Sequence, residues 1–159
     1  MLELNPEKSA EVIKEWMFKH GDCIVNSTVW GKLYKAELIK KSYENVPDEL
    51  QLGEDFVNFL NLIAITQKFV CVSQVYYNYM EFEKSMSHLR KISDFRKHEC
   101  MTLHCRKLIT EKYDIDDDIA DKWCLQKTFG NIRSFGKSNG YDFQYYFIKN
   151  LPLCSERKS

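Results

Sequence analysis

The sequence predicts a mixed, helix-rich α+β chain. Three observations carry that expectation. Apolar residues recur at helical spacing over most of the chain, and two short runs of β-branched and aromatic residues interrupt the helices near the middle. Hydrophobic residues make up 44% of the 159 positions, enough to bury a core without disulfide help.

Taken in order, Asn5-Pro6-Glu7-Lys8 opens a helix to about Lys19, with Pro6 where a first turn tolerates it and Ala10, Ile13 and Met17 as the apolar stripe. His20-Gly21-Asp22 ends it. Residues 23–34 lead into a short helix from about Lys35 to Lys41, and Val46-Pro47-Asp48 marks a turn. From Phe56 to about Gln67, Phe56, Phe59, Leu60 and Ile63 fall at i, i+3, i+4 and i+7. Val57, Leu62, Ala64 and Ile65 fill much of the remaining circumference, so this helix should be deeply buried. Phe69 to Val72 and Val75 to Met80 suit strands.

Two longer helices follow, Ser87 to about Lys112 and Asp116 to about Lys137. Phe95, Thr102, Cys105 and Ile109 trace the stripe of one, and Leu125, Phe129, Ile132 and Phe135 that of the other. Ser138-Asn139-Gly140 turns the chain into a last amphipathic segment, Tyr141 to about Leu151, before Pro152 and a charged, frayed tail, 155–159. There is no internal repeat and no low-complexity stretch.

Lys plus Arg and Asp plus Glu number 23 each, so no long-range field draws the chain to nucleic acid or to an anionic membrane. The first twenty residues lack the apolar h-region of a signal peptide, and no run approaches the roughly 18 apolar residues of a membrane span. The expected location is the cytoplasm, at most peripheral to the inner membrane. The six cysteines (Cys23, Cys71, Cys100, Cys105, Cys124, Cys154) form no C-x-x-C pair and read as reduced thiols, mostly small core residues. His98, Cys100, His104 and Cys105 invite a zinc reading. Helical spacing sets Cys100 and His104 on one face and His98 and Cys105 roughly 200° away, so one helix cannot aim all four at one metal.

The motifs that carry chemistry lie between 29 and 79. Val29-Trp30-Gly31-Lys32-Leu33-Tyr34 is followed by Leu52-Gly53-Glu54-Asp55-Phe56 and then by Tyr76-Tyr77-Asn78-Tyr79. In that order they resemble the acceptor side of bacterial family 2 inverting glycosyltransferases, which carry W-x-K-L-Y, then G-E-D opening a helix, then a Y-x-Y strand. The resemblance covers about residues 23–88 and nothing specific beyond. It implies that 1–88 is the acceptor-side part of a GT-A-type catalytic domain, short strands plus a buried helix. A C-terminal helical extension, 89–154, would follow. It further implies that Asp55 is the catalytic base, that Glu54, Trp30 and Lys32 serve the acceptor sugar, and that the complete enzyme uses a nucleotide-sugar with Mg or Mn.

From the residues alone, two roles are open to Asp55. A carboxylate partly buried beside Leu52 and Phe56 has its pKa raised toward a range useful for taking a proton from an attacking hydroxyl. A Gly-Glu-Asp sequence ahead of an apolar helix is also what a helix N-terminus needs. Trp30 reads equally as a sugar-facing ring or as core, and Lys32 as a group near acceptor or phosphate or as a solvated side chain. Tyr76, Tyr77 and Tyr79 read as strand packing. Asp116-Asp117-Asp118 contains D-x-D, the metal signature of this fold, but follows the acceptor motifs and precedes Ile119, Ala120 and Trp123, as an acidic first helical turn does.

The βαβ units that hold the nucleotide, and the metal carboxylates with them, should precede these motifs, and the stretch before Val29 is too short for them. The chain is therefore expected to be a truncated product or acceptor-side module, with no cofactor of its own and little transfer activity alone. Unpaired strand edges predict a homo-oligomer. The competing reading is a non-catalytic helical interaction or regulatory domain, docking through Trp123, Phe129, Phe135, Tyr145, Tyr146 and Phe147.

Overall fold

A computed structural model describes residues 2–19, 25–50, 52–72, 77, 78, 80 and 93–138, those at 93 and 135–138 by backbone alone. In chain order the elements are β1 (Leu2–Glu3), α1 (Pro6–Phe18), α2 (Ala36–Tyr43), α3 (Glu54–Ile65), β2 (Lys68–Phe69), α4 (Ser93–Tyr113) and α5 (Asp117–Ser138). The fold is helix-rich α+β, with a small antiparallel sheet in which Leu2 pairs with Phe69 and Glu3 with Lys68.

Helix α1 starts where its sequence dictates. The Asn5 side chain accepts from the Lys8 N–H at 2.8 Å and Pro6 fills the first helical position, whose N–H would have no partner anyway. Its buried face is Ser9, Val12, Ile13, Trp16 and Met17, a strict i, i+3, i+4, i+7, i+8 stripe. Helix α3 is the centre of the molecule, buried continuously from Val57 to Ile63. That run includes two asparagines. Asn61 donates to the Asn45 carbonyl at 3.1 Å and accepts from Lys112 Nζ at 2.8 Å, tying α3 to the loop after α2 and to the end of α4. The Tyr113 hydroxyl, at the last residue of α4, donates to the Leu60 carbonyl.

Helices α4 and α5 form a hairpin through a short connection in which Asp114 adopts φ 50°, a left-handed conformation that Asp tolerates better than most residues. Asp116 Oδ1 accepts from the Asp118 N–H at 2.8 Å and so caps α5. Arg106 of α4 pairs with Asp117 at 2.9 Å and with Asp121. One apolar cluster joins α1, α3, α4 and α5, centred on Met17, Leu60, Cys105, Ile109 and Trp123.

Within that cluster Trp16 packs against Phe56, Phe59 and Trp123 at ring separations of 5.8, 5.2 and 5.4 Å. The Lys127 ammonium sits over Trp16, Phe56 and Trp123, 6.0, 5.6 and 5.8 Å from the ring centres. These distances lie at the outer limit of cation–π attraction, which contributes about 0.5–2 kcal/mol at best. Desolvating an ammonium costs several kcal/mol. Desolvation wins, and burial lowers the Lys127 pKa.

Three expectations from the sequence need correction. The strand expected at Phe69–Val72 survives only as Lys68–Phe69; Val70 and Val72 are 63% and 61% exposed. β-branched residues hold a strand only against a partner and a covering face, and β1 offers two residues of ladder. On α5 the expected stripe holds at Ile132, but Leu125 and Phe129 are exposed, Leu125 at 58%. The larger Trp123, about 200° round the helix from Leu125, takes the seam with Ala120 instead. Of the four described cysteines, Cys105 alone is buried and Cys124 half-buried, while Cys71 and Cys100 are exposed.

The Tyr76 and Tyr79 positions, Cys23, Cys154, the 85–90 junction, the 141–151 segment with Tyr145, Tyr146 and Phe147, and the tail lie outside the described residues, as does the Phe135 side chain. Among the described residues no helix is long and apolar enough to cross a membrane.

Candidate active site

The site is built on the elbow that starts α3. Gly53 has φ +81°, and a Cβ added there would lie 2.6 Å from Met101 Cγ on α4. Glycine is therefore required twice, for the left-handed backbone and for the close approach of α4. Replacing it should be costly. A left-handed non-glycine residue costs about 1–2 kcal/mol and overpacking about 1–3 more, so Gly53→Ala is expected to destabilise by about 2–5 kcal/mol. Urea unfolding should show a lower midpoint at unchanged slope.

The elbow places Glu54 and Asp55 in the first turn. Glu54 is exposed and Asp55 half-buried. The first turn is closed by backbone alone, Phe56 N–H to the Gly53 carbonyl at 3.0 Å, and no side chain caps it. Among the described residues the Asp55 carboxylate accepts no hydrogen bond. It is thus not spent on capping. Burial first, and the neighbouring Glu54 charge second, raise the Asp55 pKa above the usual carboxylate value; the Lys32 ammonium pulls the other way.

The loop before α2 supplies the rest. Lys32 Nζ donates to the Thr28 carbonyl, to Thr28 Oγ1 at 3.2 Å and to Asn26 Oδ1, while Thr28 Oγ1 itself donates to Asn26 Oδ1 at 2.7 Å. Lys32 is half-buried and tethered by these bonds, and its charge reaches Asp55. Gly31, at φ +70°, lets the loop turn, and the ring of Trp30 stacks on Tyr77 at 5.4 Å and 19°. Trp30 remains 40% exposed, so the sequence alternative of a core tryptophan does not hold.

Two phenols join the carboxylate. Tyr34 donates to the Val29 carbonyl at 3.4 Å, and Tyr43 ends α2. Burial raises both pKa values, with further contributions to Tyr34 from Tyr43 and Asp55 and to Tyr43 from Asp55 and Glu54. Both phenols therefore stay protonated hydrogen-bond donors at neutral pH. Tyr34 belonged to the sequence motif, though with no role of its own; Tyr43 had no motif signal, because its electrostatic influence on Asp55 depends on how α2 packs against α3.

Chemically, a half-desolvated carboxylate that accepts no hydrogen bond among the described residues, within electrostatic reach of two phenols and one ammonium, can accept a proton from a bound hydroxyl while the phenols orient that hydroxyl. Among the described residues no group of three or more His, Cys, Asp or Glu side chains is placed to hold a metal ion. Of the D-x-D carboxylates, Asp116 caps α5 and Asp117 pairs with Arg106. No protein-family model, curated protein or solved structure matches this chain.

Proposed function

We propose that this chain is the acceptor-side part of an inverting glycosyltransferase, related in fold to the GT-A enzymes and acting in bacterial surface polysaccharide or glycoconjugate synthesis. The observation that carries the reading is the state of Asp55: at the first turn of a buried helix, half-buried, raised in pKa and free of the capping bonds that would otherwise explain it. In this role Asp55 takes the proton of the acceptor hydroxyl as that oxygen attacks the anomeric carbon and the nucleotide diphosphate leaves. Tyr34 and Tyr43 steer the hydroxyl, Lys32 stabilises the carboxylate, and Glu54 tunes both carboxylate and phenol. The Trp30–Tyr77 stack offers an apolar face matching the C–H face of a sugar ring. Nucleotide-sugar and its Mg or Mn belong to a donor-binding unit outside the described residues.

The reading is tested by saturation-transfer NMR of the chain against a panel of hexoses, N-acetylhexosamines and short oligosaccharides. At least one sugar should receive transfer from the aromatic protons, and Trp30→Ala should weaken its binding roughly tenfold with folding unchanged. A panel without a single binder would sink the acceptor role. Of the aromatic groups on which the competing interaction-domain reading rests, Trp123 is buried and Phe129 exposed, beside exposed Leu125. Single exposed leucines are ordinary on protein surfaces, whereas an uncapped half-buried carboxylate is not.

A further inference from the structure

The glycosyltransferase reading leaves one buried titratable group unused, the amine of Lys127. Its side chain is half-buried, with Nζ against the faces of Trp16, Phe56 and Trp123, from α1, α3 and α5 respectively. Carboxylates pair with Lys8, Lys19, Lys68, Lys97, Arg106 and Lys107, and Lys14, Lys35, Lys40, Lys41, Lys112 and Lys122, which have no described ion pair, are exposed to water. Lys127 has no described ion pair either, and it donates no hydrogen bond to any described residue. A cation held against aromatic rings without an anion is an arrangement that burial disfavours and that loss of a proton relieves.

We propose that Lys127, enclosed by Trp16, Phe56 and Trp123 and partnered by no carboxylate among the described residues, is a reactive amine and a site of covalent acylation by activated acyl donors of the acyl phosphate or thioester class. The free amine attacks the acyl carbon; a new C–N amide bond forms, the C–O bond to phosphate or the C–S bond of the thioester breaks, phosphate or thiolate leaves, and the amine proton passes to water. The product is a neutral amide against three rings in place of a buried charge.

The surrounding groups agree with this direction. Burial lowers the Lys127 pKa, and the titratable group that opposes it is Cys105 on α4. Cys105 is buried and its own thiol is pushed far upward, so at neutral pH it carries no charge with which to hold the lysine protonated. Lower basicity costs some nucleophilicity, but the gain in free-amine fraction at neutral pH is the larger effect, as for lysines activated by apolar surroundings.

The experiment is site-resolved acylation of the folded full chain with sub-stoichiometric acetyl phosphate at pH 7, read by peptide mass spectrometry. Lys127 should acylate roughly threefold or more faster than the exposed, ion-paired Lys8, Lys68 and Lys107. The advantage should shrink as pH rises and vanish in denaturant. A Lys127 rate equal to or below that of the exposed lysines in the native protein would overturn the proposal. So would an advantage that persists in denaturant, since it would then owe nothing to the aromatic enclosure.

Discussion

Asp55→Asn is expected to do two opposite things. In a transfer reaction supplied with the donor-binding unit and nucleotide-sugar, it should lower turnover by about 10²–10⁴-fold, the range for loss of a general base, while acceptor binding persists because the amide keeps the shape of the carboxylate. On the chain alone it should raise stability at neutral pH. The sign follows from linkage. The folded-state pKa of Asp55 lies above its unfolded value, so between the two the native protein binds more protons than the unfolded chain and stability falls as pH rises. Above that window the penalty is present in full, and Asn removes it. The gain of the variant over the parent should disappear below about pH 4, where the carboxyl is protonated in both states. Thermal melts of the two proteins across pH check this directly. A variant less stable than the parent at pH 7 would mean that the carboxylate serves the helix N-terminus after all. Loss of turnover together with gain of stability is the pattern of a residue kept for chemistry.

Much of the helical framework was legible because its signals are local. Asn5 and Pro6 fix the start of α1 through bonds that span three residues, and Phe95, Thr102, Cys105 and Ile109 were read as the buried stripe of α4 from spacing alone. The same local logic placed Asp55 in the first turn of a buried helix. What it could not supply was the partner of each element. β1 exists only because Leu2 and Glu3 meet Phe69 and Lys68 across the whole of α1 to α3, and no two-residue pattern announces that. Val70 and Val72 have strand propensity and no sheet to use it in. At the site, residue types pointed to Asp55, yet whether it caps, and whether Tyr43 reaches it, depend on the register between α2 and α3. The Lys127 enclosure is of the same kind, since its three rings come from three different helices.

The sharpest contrast between pattern and packing falls on α5, where Trp123→Ala and Leu125→Ala should differ widely. Spacing assigned Leu125 to the core stripe, but it is largely exposed, and its removal should stay within about 0.5 kcal/mol of the parent. Trp123 is 1% exposed and touches Trp16 across the α1–α5 seam. Truncating a tryptophan there removes its transfer energy and leaves a cavity that the helices cannot close, a loss of about 3–5 kcal/mol. One term offsets part of it: Trp123 Nε1 is buried without a hydrogen-bond partner among the described residues, a cost of about 1–3 kcal/mol that disappears with the ring. The net should sit near the lower end of the range. Trp123→Phe keeps one aromatic ring in the seam and deletes the unpartnered donor with the rest of the indole, so it leaves a smaller cavity and should cost clearly less than the alanine. Against a typical domain stability of about 5–15 kcal/mol, the loss in Trp123→Ala is a large fraction, measurable as a marked fall in urea midpoint. Equal losses at Trp123 and Leu125 would instead mean that α5 is rotated about its axis and that the seam runs through the stripe the spacing suggested.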